Sequence, residues 1–449
     1  MKEQSKTTNN MKNILFLITL VIGTNLFAQD FDRQKMDSLF TSIETNQKAM
    51  GSISIFEIGK ETYQNTFGYA SLGDSAMATE KTKYRIGSIS KTFTAAIILK
   101  FIEDDKLSLT TTLSEFYPDI KNAQKITIEH LLKHRSGIFN YTSAADFQSW
   151  MKHPISKESL VEKIAANGSV FEPGEKFEYS NSNYVLLSFI AEQIEKQEFA
   201  ALLQQTVCKP CGLADTYYGS KISLGNDEAL SYTKSDGWQL FPEWDMSVAQ
   251  GAGSIVSTPS DLNRFLNCLF TNKIVSEETV SAMTQMQDGY GLGLFQVPFY
   301  DKKGFGHNGA IDAFQANAYY FPPDKTSVAL TANGMAMPIN DIIIGALSIY
   351  FGKQYDLPDF EEKTLMLKSK DLDKYLGVYS SSGFPLKVTI TKKENVLMGQ
   401  ATGQSSFPLE AYEADKFKFD QAGLKLEFLP KDRKMILRQG GGEFKLTKE

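Results

Sequence analysis

Ser88-Ile89-Ser90-Lys91 sets a hydroxyl and an amine three residues apart. On a helix that spacing puts both on one face, nearly in contact. A serine hydroxyl is a poor nucleophile at neutral pH, but an amine whose pKa is lowered by burial or by other cations can take its proton. The stretch from Phe93 to Ile102 contains no Gly or Pro and predicts the buried helix that would hold the pair rigid. Free N–H groups at the start of that helix would favour developing negative charge. The same spacing recurs at Ser149/Lys152 and Ser231/Lys234, so alone it equally describes a helix N-cap beside a solvated lysine.

Two further clusters carry suitable groups. Tyr179-Ser180-Asn181 follows Glu172-Pro173-Gly174-Glu175; a tyrosine can shuttle protons and an asparagine can hold both sides of an amide. Its bland reading is a packed loop tyrosine with Asn181 capping the helix that follows, and Tyr63-Gln64-Asn65 has the same pattern. His307-Asn308-Gly309, before Ala310, lies between strand-like segments, and Gly309 would let a substrate approach the backbone. Taken alone it reads as a turn histidine.

The elements that must position these groups are legible in outline. Residues 31 to about 50 look helical, and Gly51 to Phe56 alternates as a strand, with Asn65 to Tyr69 as its hairpin partner. Strand-like runs return at Gly291–Phe295, Ala318–Phe321 and Ser327–Thr331, and Asp341–Phe351 reads as a closing helix. Strands at both ends with helices between predict a sheet built from both ends of one domain, with a helical part inserted. From about Tyr375, short alternating runs such as Leu386, Val388, Ile390 and Leu424, Leu426, Phe428 are separated by turns at 392–395, 421–423 and 440–442, the pattern of a small all-β domain.

At 449 residues the chain is long enough for two or three domains. Hydrophobic residues make up 42% and charged residues 22%, as in soluble globular proteins. A net charge of −6 without a basic stripe sets nucleic acid aside as a partner. The apolar run Ile14–Ile22 behind Lys12, ending near Ala28, predicts a signal peptide over 1–28 and an exported, periplasmic or secreted protein with no stable membrane span after its removal. Four histidines without H-E-x-x-H spacing predict no metal site. Of the three cysteines, Cys208 and Cys211 have C-x-x-C spacing. The expectation is buried thiols packed as small hydrophobes, with a bridge or a thiol oxidoreductase as the alternatives.

Together the three motifs follow the order of the S-x-x-K, S-D-N and K-T-G elements of β-lactamases and penicillin-binding proteins. The chain resembles the beta-lactamase-related serine hydrolases: class C β-lactamases, D-alanyl-D-alanine carboxypeptidases, D-aminopeptidases and esterases. Further matches are Lys106–Leu109, Ile126–His134 before Ser136-Gly137, Gly251–Ser254 before Ser260-Asp261-Leu262, and Tyr290–Gly293. The resemblance implies an α+β fold: an antiparallel sheet flanked by helices with an all-helical lobe, followed by a small all-β barrel-like C-terminal domain. The expected boundaries are 31–355 for the hydrolase domain, 356–372 for a linker and 373–449 for the β domain.

The resemblance also implies roles. Ser88 attacks a carbonyl and becomes acylated, and Lys91 or Tyr179 is the base. Tyr179 protonates the leaving group and Asn181 orients the acyl amide. The N–H groups of Ser88 and Ala310 form the oxyanion hole. His307, Asn308 and Gly309 stand where β-lactamases have a lysine, a hydroxyl and a glycine, and a histidine is only partly charged near neutrality. Recognition of an acid should weaken, which ranks β-lactamase activity below peptidase, amidase or esterase activity. No cofactor is implied. The expected substrate is a small peptide, amide or ester, cell-wall peptide included, and the leading reading is a D-alanyl-D-alanine carboxypeptidase-like peptidase. β-Lactamase, carboxylesterase and a non-catalytic penicillin-binding sensor are the alternatives.

Overall fold

The computed structural model describes residues 31–449 except 361–364, 366, 382, 403–405, 420–421 and 440–441. The expected signal segment lies outside the described residues, as do part of the expected linker and Gln421, Gly440 and Gly441 of two expected turns.

The central sheet carries six strands in the order Phe295–Phe299, Lys302–Ile311, Phe314–Phe321, Thr326–Met335, Ala49–Glu57 and Lys60–Phe67, each antiparallel to the next. A hairpin, Tyr232–Ser235 with Gly237–Leu240, joins the end of Thr326–Met335 in parallel. The sheet is therefore assembled from both ends of the domain. Strand alternation decides what each face meets. Val328 and Leu330 belong to the core shared with the helices Arg33–Thr45 and Ile339–Tyr350. Ala316, Ala318 and Ala329 face the inner helices, where small side chains allow close approach.

Helix Arg33–Thr45 starts at Asp32, whose carboxylate accepts from Lys35 N at 2.9 Å. It buries Met36, Leu39, Phe40 and Ile43, the i, i+3, i+4, i+7 stripe of an amphipathic helix. Ser90–Glu103 is different: it is buried on nearly every side, as a helix at the centre of a domain must be. Asn181–Glu195 and Pro259–Phe270 pack in the same core.

The strand expected at Gly291–Phe295 begins only at Phe295. Gly293 has φ +80°, and a Cβ there would lie 2.5 Å from Ala95 Cβ; its carbonyl accepts from Thr92 Oγ1 at 2.8 Å. The segment is a bend pressed onto the Lys91 helix, not a strand.

Eight strands, from Gly377–Ser381 to Gly442–Lys448, close into a barrel. Val388, Leu397, Leu426, Phe428 and Met435 fill it. Tyr375 and Tyr379 lie inside, and the Tyr379 hydroxyl donates to Tyr375 O at 2.8 Å. The fold is α+β, an antiparallel sheet with helices plus a C-terminal β-barrel.

Of the cysteines, Cys208 is the buried thiol expected, while Cys211 and Cys268 are not. Cys211 is bridged to Cys268 of helix Pro259–Phe270, while Cys208 is a buried free thiol. Cys211 ends its helical stretch just before Gly212, which adopts the left-handed conformation. Cys208 is turned inward, its Sγ 3.5 Å from Thr216 O, and burial pushes its thiol up to about 12. The C-x-x-C pair is thus not the bonded pair. Titration of the unreduced protein should find one thiol, reactive only after denaturation, and three after reduction. Cys268→Ser should lower unfolding stability by about 2–4 kcal/mol. Three thiols without reductant would rule the bridge out.

Candidate active site

Ser88 lies in a single tight turn, Gly87–Ile89, that leads directly into helix Ser90–Glu103. The turn keeps Ser88 half-buried while Lys91, three residues along, has 0% exposure. Lys91 Nζ lies 2.9 Å from Ser88 Oγ, 2.8 Å from Asn181 Oδ1 and 2.8 Å from the carbonyl of Ala252. Burial holds Lys91 well below the usual lysine range. Two of its neighbours are obligate acceptors. Lys91 Nζ donates to both of these, the Asn181 amide oxygen and the Ala252 carbonyl, and Ser88 Oγ completes its surroundings.

The Ala252 carbonyl belongs to a short turn, Gln250–Ala252, that starts in strain. Gln250 has φ +43° and ψ −147°, a conformation costly for a residue with a Cβ and concentrated at functional sites. The stretch Gly251–Ser254 was visible in the sequence as a family match, but a backbone carbonyl leaves no mark in residue type.

Asn181 opens helix Asn181–Glu195. Its Nδ2 donates to Asn140 Oδ1 at 3.2 Å and Thr142 Oγ1 at 3.1 Å, and its backbone N donates to Asn140 Oδ1 at 3.0 Å. These contacts orient the amide so that its oxygen faces Lys91. Asn140 and Thr142 had no signal in the sequence.

Tyr179 precedes that helix. Burial raises its pKa, only partly offset by the nearby Ser88 hydroxyl, so the phenol is protonated near neutral pH. Lys91 Nζ is 5.0 Å from the Tyr179 ring centroid and 5.9 Å from that of Tyr184, near enough for both faces to stabilise an ammonium once one forms. His134 supports Tyr179 from behind, with ring centroids 4.2 Å apart. Its Nδ1 accepts from Ser180 N and from Asn183 Nδ2, both at 3.2 Å.

His307, Asn308, Gly309 and Ala310 lie within strand Lys302–Ile311 rather than between strands. Alternation buries His307 and Gly309 and exposes Asn308 and Ala310. A Cβ at Gly309 would lie 1.9 Å from Ile86 O and 3.0 Å from Ser88 N. Gly87, with φ +51°, faces Ala310: a Cβ there would be 2.7 Å from Ala310 N. Two glycines thus let the Ser88 turn and this strand meet backbone to backbone.

His307 corrects the expectation of a partly charged side chain. Burial, then the neighbouring Lys91, lower its pKa to about 3, opposed only by its contact with the Asn308 carbonyl. Nδ1–H donates to Asn308 O, which leaves Nε2 to accept from the Tyr290 hydroxyl at 3.2 Å. Both ring nitrogens are occupied within the protein. Phe295 packs 4.8 Å from the His307 ring, and its plane is 12° from that of Tyr179. Tyr290 stood in a family match without an assigned role.

The Beta-lactamase family model matches residues 36–342, and the chain belongs to that family. It is a serine hydrolase of the β-lactamase and penicillin-binding-protein type. Penicillin-binding protein 4* of Bacillus subtilis (strain 168) is 26% identical over 444 residues, covering 92% of this chain and 97% of its own. Teichoic acid D-alanine hydrolase of Staphylococcus aureus (strain MRSA252) is 23% identical over 309 residues, 67% of this chain and 72% of its own. Among solved structures, the octameric penicillin-binding protein homologue from Pyrococcus abyssi superposes with TM-score 0.67 at 26% identity, covering 92% of this chain and 99% of that one.

A pH prediction follows from His307. Its folded pKa lies below its unfolded value of 6.5, so between the two the unfolded chain binds the extra proton and stability falls as pH falls. The contribution is complete above about pH 6.5 and is lost at about 1.4 kcal/mol per pH unit on the way down. Unfolding free energies measured from pH 7 to pH 4 should therefore fall less steeply in His307→Gln than in the parent. Equal slopes would contradict a buried neutral His307.

Proposed function

We propose that the chain is an exported enzyme that hydrolyses neutral amides or esters of D-amino acids through an acyl-enzyme on Ser88. The observation that carries this reading is the arrangement at Lys91: a buried amine 2.9 Å from Ser88 Oγ, held by the Asn181 amide oxygen and the Ala252 carbonyl.

In this reading Ser88 Oγ bonds to the substrate carbonyl carbon as Lys91 Nζ takes the hydroxyl proton. The carbonyl becomes an oxyanion between the N–H groups of Ser88 and Ala310, where preorganised donors lower the barrier. Collapse breaks the bond to the leaving group, which takes a proton from Tyr179; Lys91 returns a proton to Tyr179. Water then attacks the acyl carbon and gives its proton through Tyr179 to Lys91; as the acyl C–O bond breaks, Lys91 passes a proton to Ser88 Oγ, and the acid product and free enzyme are released. Lys91 is the better base because Tyr179, raised by burial, holds its proton. Asn181 positions Lys91, and its Nδ2 faces Asn140 and Thr142, so its help to a substrate amide comes through that small network. Asn308, exposed on the same strand, lines the substrate side.

Charge narrows the substrate. In β-lactamases a lysine at the third motif meets the substrate carboxylate, whereas here His307 is neutral and both its nitrogens are engaged. This favours neutral D-aminoacyl amides and esters over the carboxypeptidase reading that the motifs alone suggest, since a carboxypeptidase must recognise a terminal acid. The D-configuration is supported by the name of the teichoic acid D-alanine hydrolase relative. Export is supported by the Cys211–Cys268 bridge, which an oxidising compartment maintains.

The test is intact mass with time after mixing with a D-alanine aryl ester, a D-alanine anilide, an N-acyl-D-alanyl-D-alanine and a fluorescent penicillin. An adduct on Ser88 should form with the ester, and Ser88→Ala should lose turnover on the order of 10⁴-fold. Esters and anilides should exceed the acid-bearing peptide in kcat/KM by about tenfold or more, the value of one charge-assisted bond. A preference for the free acid would overturn the substrate assignment, and equal reaction of Ser88→Ala would overturn the nucleophile.

A further inference from the structure

The two backbone segments that meet at the site are flanked by a buried ion pair. Arg85 stands three residues before Ser88, and Asp312 two residues after Ala310. Arg85 is 2% exposed, yet its guanidinium is engaged on both sides. Nη1 donates to Asp312 Oδ2 at 2.8 Å and to Trp244 O at 3.0 Å; Nη2 donates to Glu243 Oε2 at 2.6 Å and to Ser220 O at 2.8 Å. The Asp312 side chain has 0% exposure, and its Oδ1 accepts from Trp244 N at 2.7 Å.

Asp312 sits at the turn between strands Lys302–Ile311 and Phe314–Phe321 with φ +54°, a conformation that favours glycine. A buried pair contributes little net stability, because desolvation offsets much of the attraction. Its fixed fork geometry does something else here: it ties the start of the Ser88 turn to the end of the Ala310 strand. Just beyond that tie lie the close approaches at Gly87 and Gly309. Those approaches bring Ser88 N and Ala310 N to one place only if the two segments keep their relative height.

We propose that Arg85 and Asp312 are positioning residues that clamp the Ser88 and Ala310 N–H groups at the spacing an oxyanion needs. This rests on the Ser88 acyl-enzyme reading. The clamp touches no substrate, so its loss should be felt when charge develops on the carbonyl oxygen and scarcely before.

The experiment uses the full chain with Arg85→Lys, Asp312→Asn and the double variant Arg85→Met/Asp312→Leu, which leaves no unpaired charge between the two positions. Three quantities are measured per titrated active site: the acylation rate with a D-alanine aryl ester, KM, and the affinity for an aryl boronic acid. Boron takes Ser88 Oγ as its fourth ligand, the hydroxyl proton passes to the base, and the resulting tetrahedral anion mimics the oxyanion intermediate. Acylation rate and boronate affinity should fall together by about 30-fold, somewhat less than deleting one donor outright, with KM changed less than about threefold. The double variant should lose about as much as either single one, because the two residues act as a unit. If a single variant fails to fold, the double variant carries the same comparison. Folded variants that acylate within threefold of the parent, or that lose rate without losing boronate affinity, would overturn the clamp alone. A parent that reacts no better than Ser88→Ala would overturn the acyl-enzyme reading and the clamp with it.

Discussion

The amine of Lys91 is the point on which the site turns. A lysine with no solvent exposure is unfavourable as an ammonium, and burial holds this one well below the usual lysine range while the same packing aims it at Ser88. The fold supplies the two carbonyl oxygens that hold it from separate places: Asn181 at the head of one helix and Ala252 in a strained turn. Ser88 and Lys91 are neighbours in sequence, but the chemistry of the pair is set by residues far along the chain.

Close backbone approach is the second constraint. Gly87 and Gly309 remove the two Cβ atoms that would otherwise hold the Ser88 turn away from strand Lys302–Ile311. The antiparallel sheet makes this possible by threading Ala49–Glu57 beside Thr326–Met335, so that both ends of the domain support one layer. The alanine-lined inner face then lets helix Pro259–Phe270 sit close against the sheet. Stability and chemistry are thus drawn from the same contacts.

Much of this was legible in residue type. The Ser88–Lys91 spacing, the unbroken apolar run after it, and the alternation of Leu424, Leu426 and Phe428 announced the central helix and the barrel. Asn181 was legible as a site residue, but its partners Asn140 and Thr142 were not, because they lie in a loop without periodicity. The bridge to Cys268 was hidden by the nearer C-x-x-C pair: Cys208 is buried against Thr216, while Cys211, at the end of its helical stretch, meets Cys268. Two glycines in Gly291–Leu294 looked like strand and proved to be a bend against Ala95. The neutrality of His307 needed Tyr290 and the burial around it, which no motif encodes.

The most direct test is the pH dependence of Ser88 acylation, followed by intact mass from pH 5 to pH 10 with Lys91→Ala alongside. The account predicts a rising limb governed by a pKa well below the ordinary lysine value of 10.5, absent from the residual reaction of Lys91→Ala. A limb at the ordinary lysine value, or an unchanged limb without Lys91, would contradict a neutral buried amine as the base.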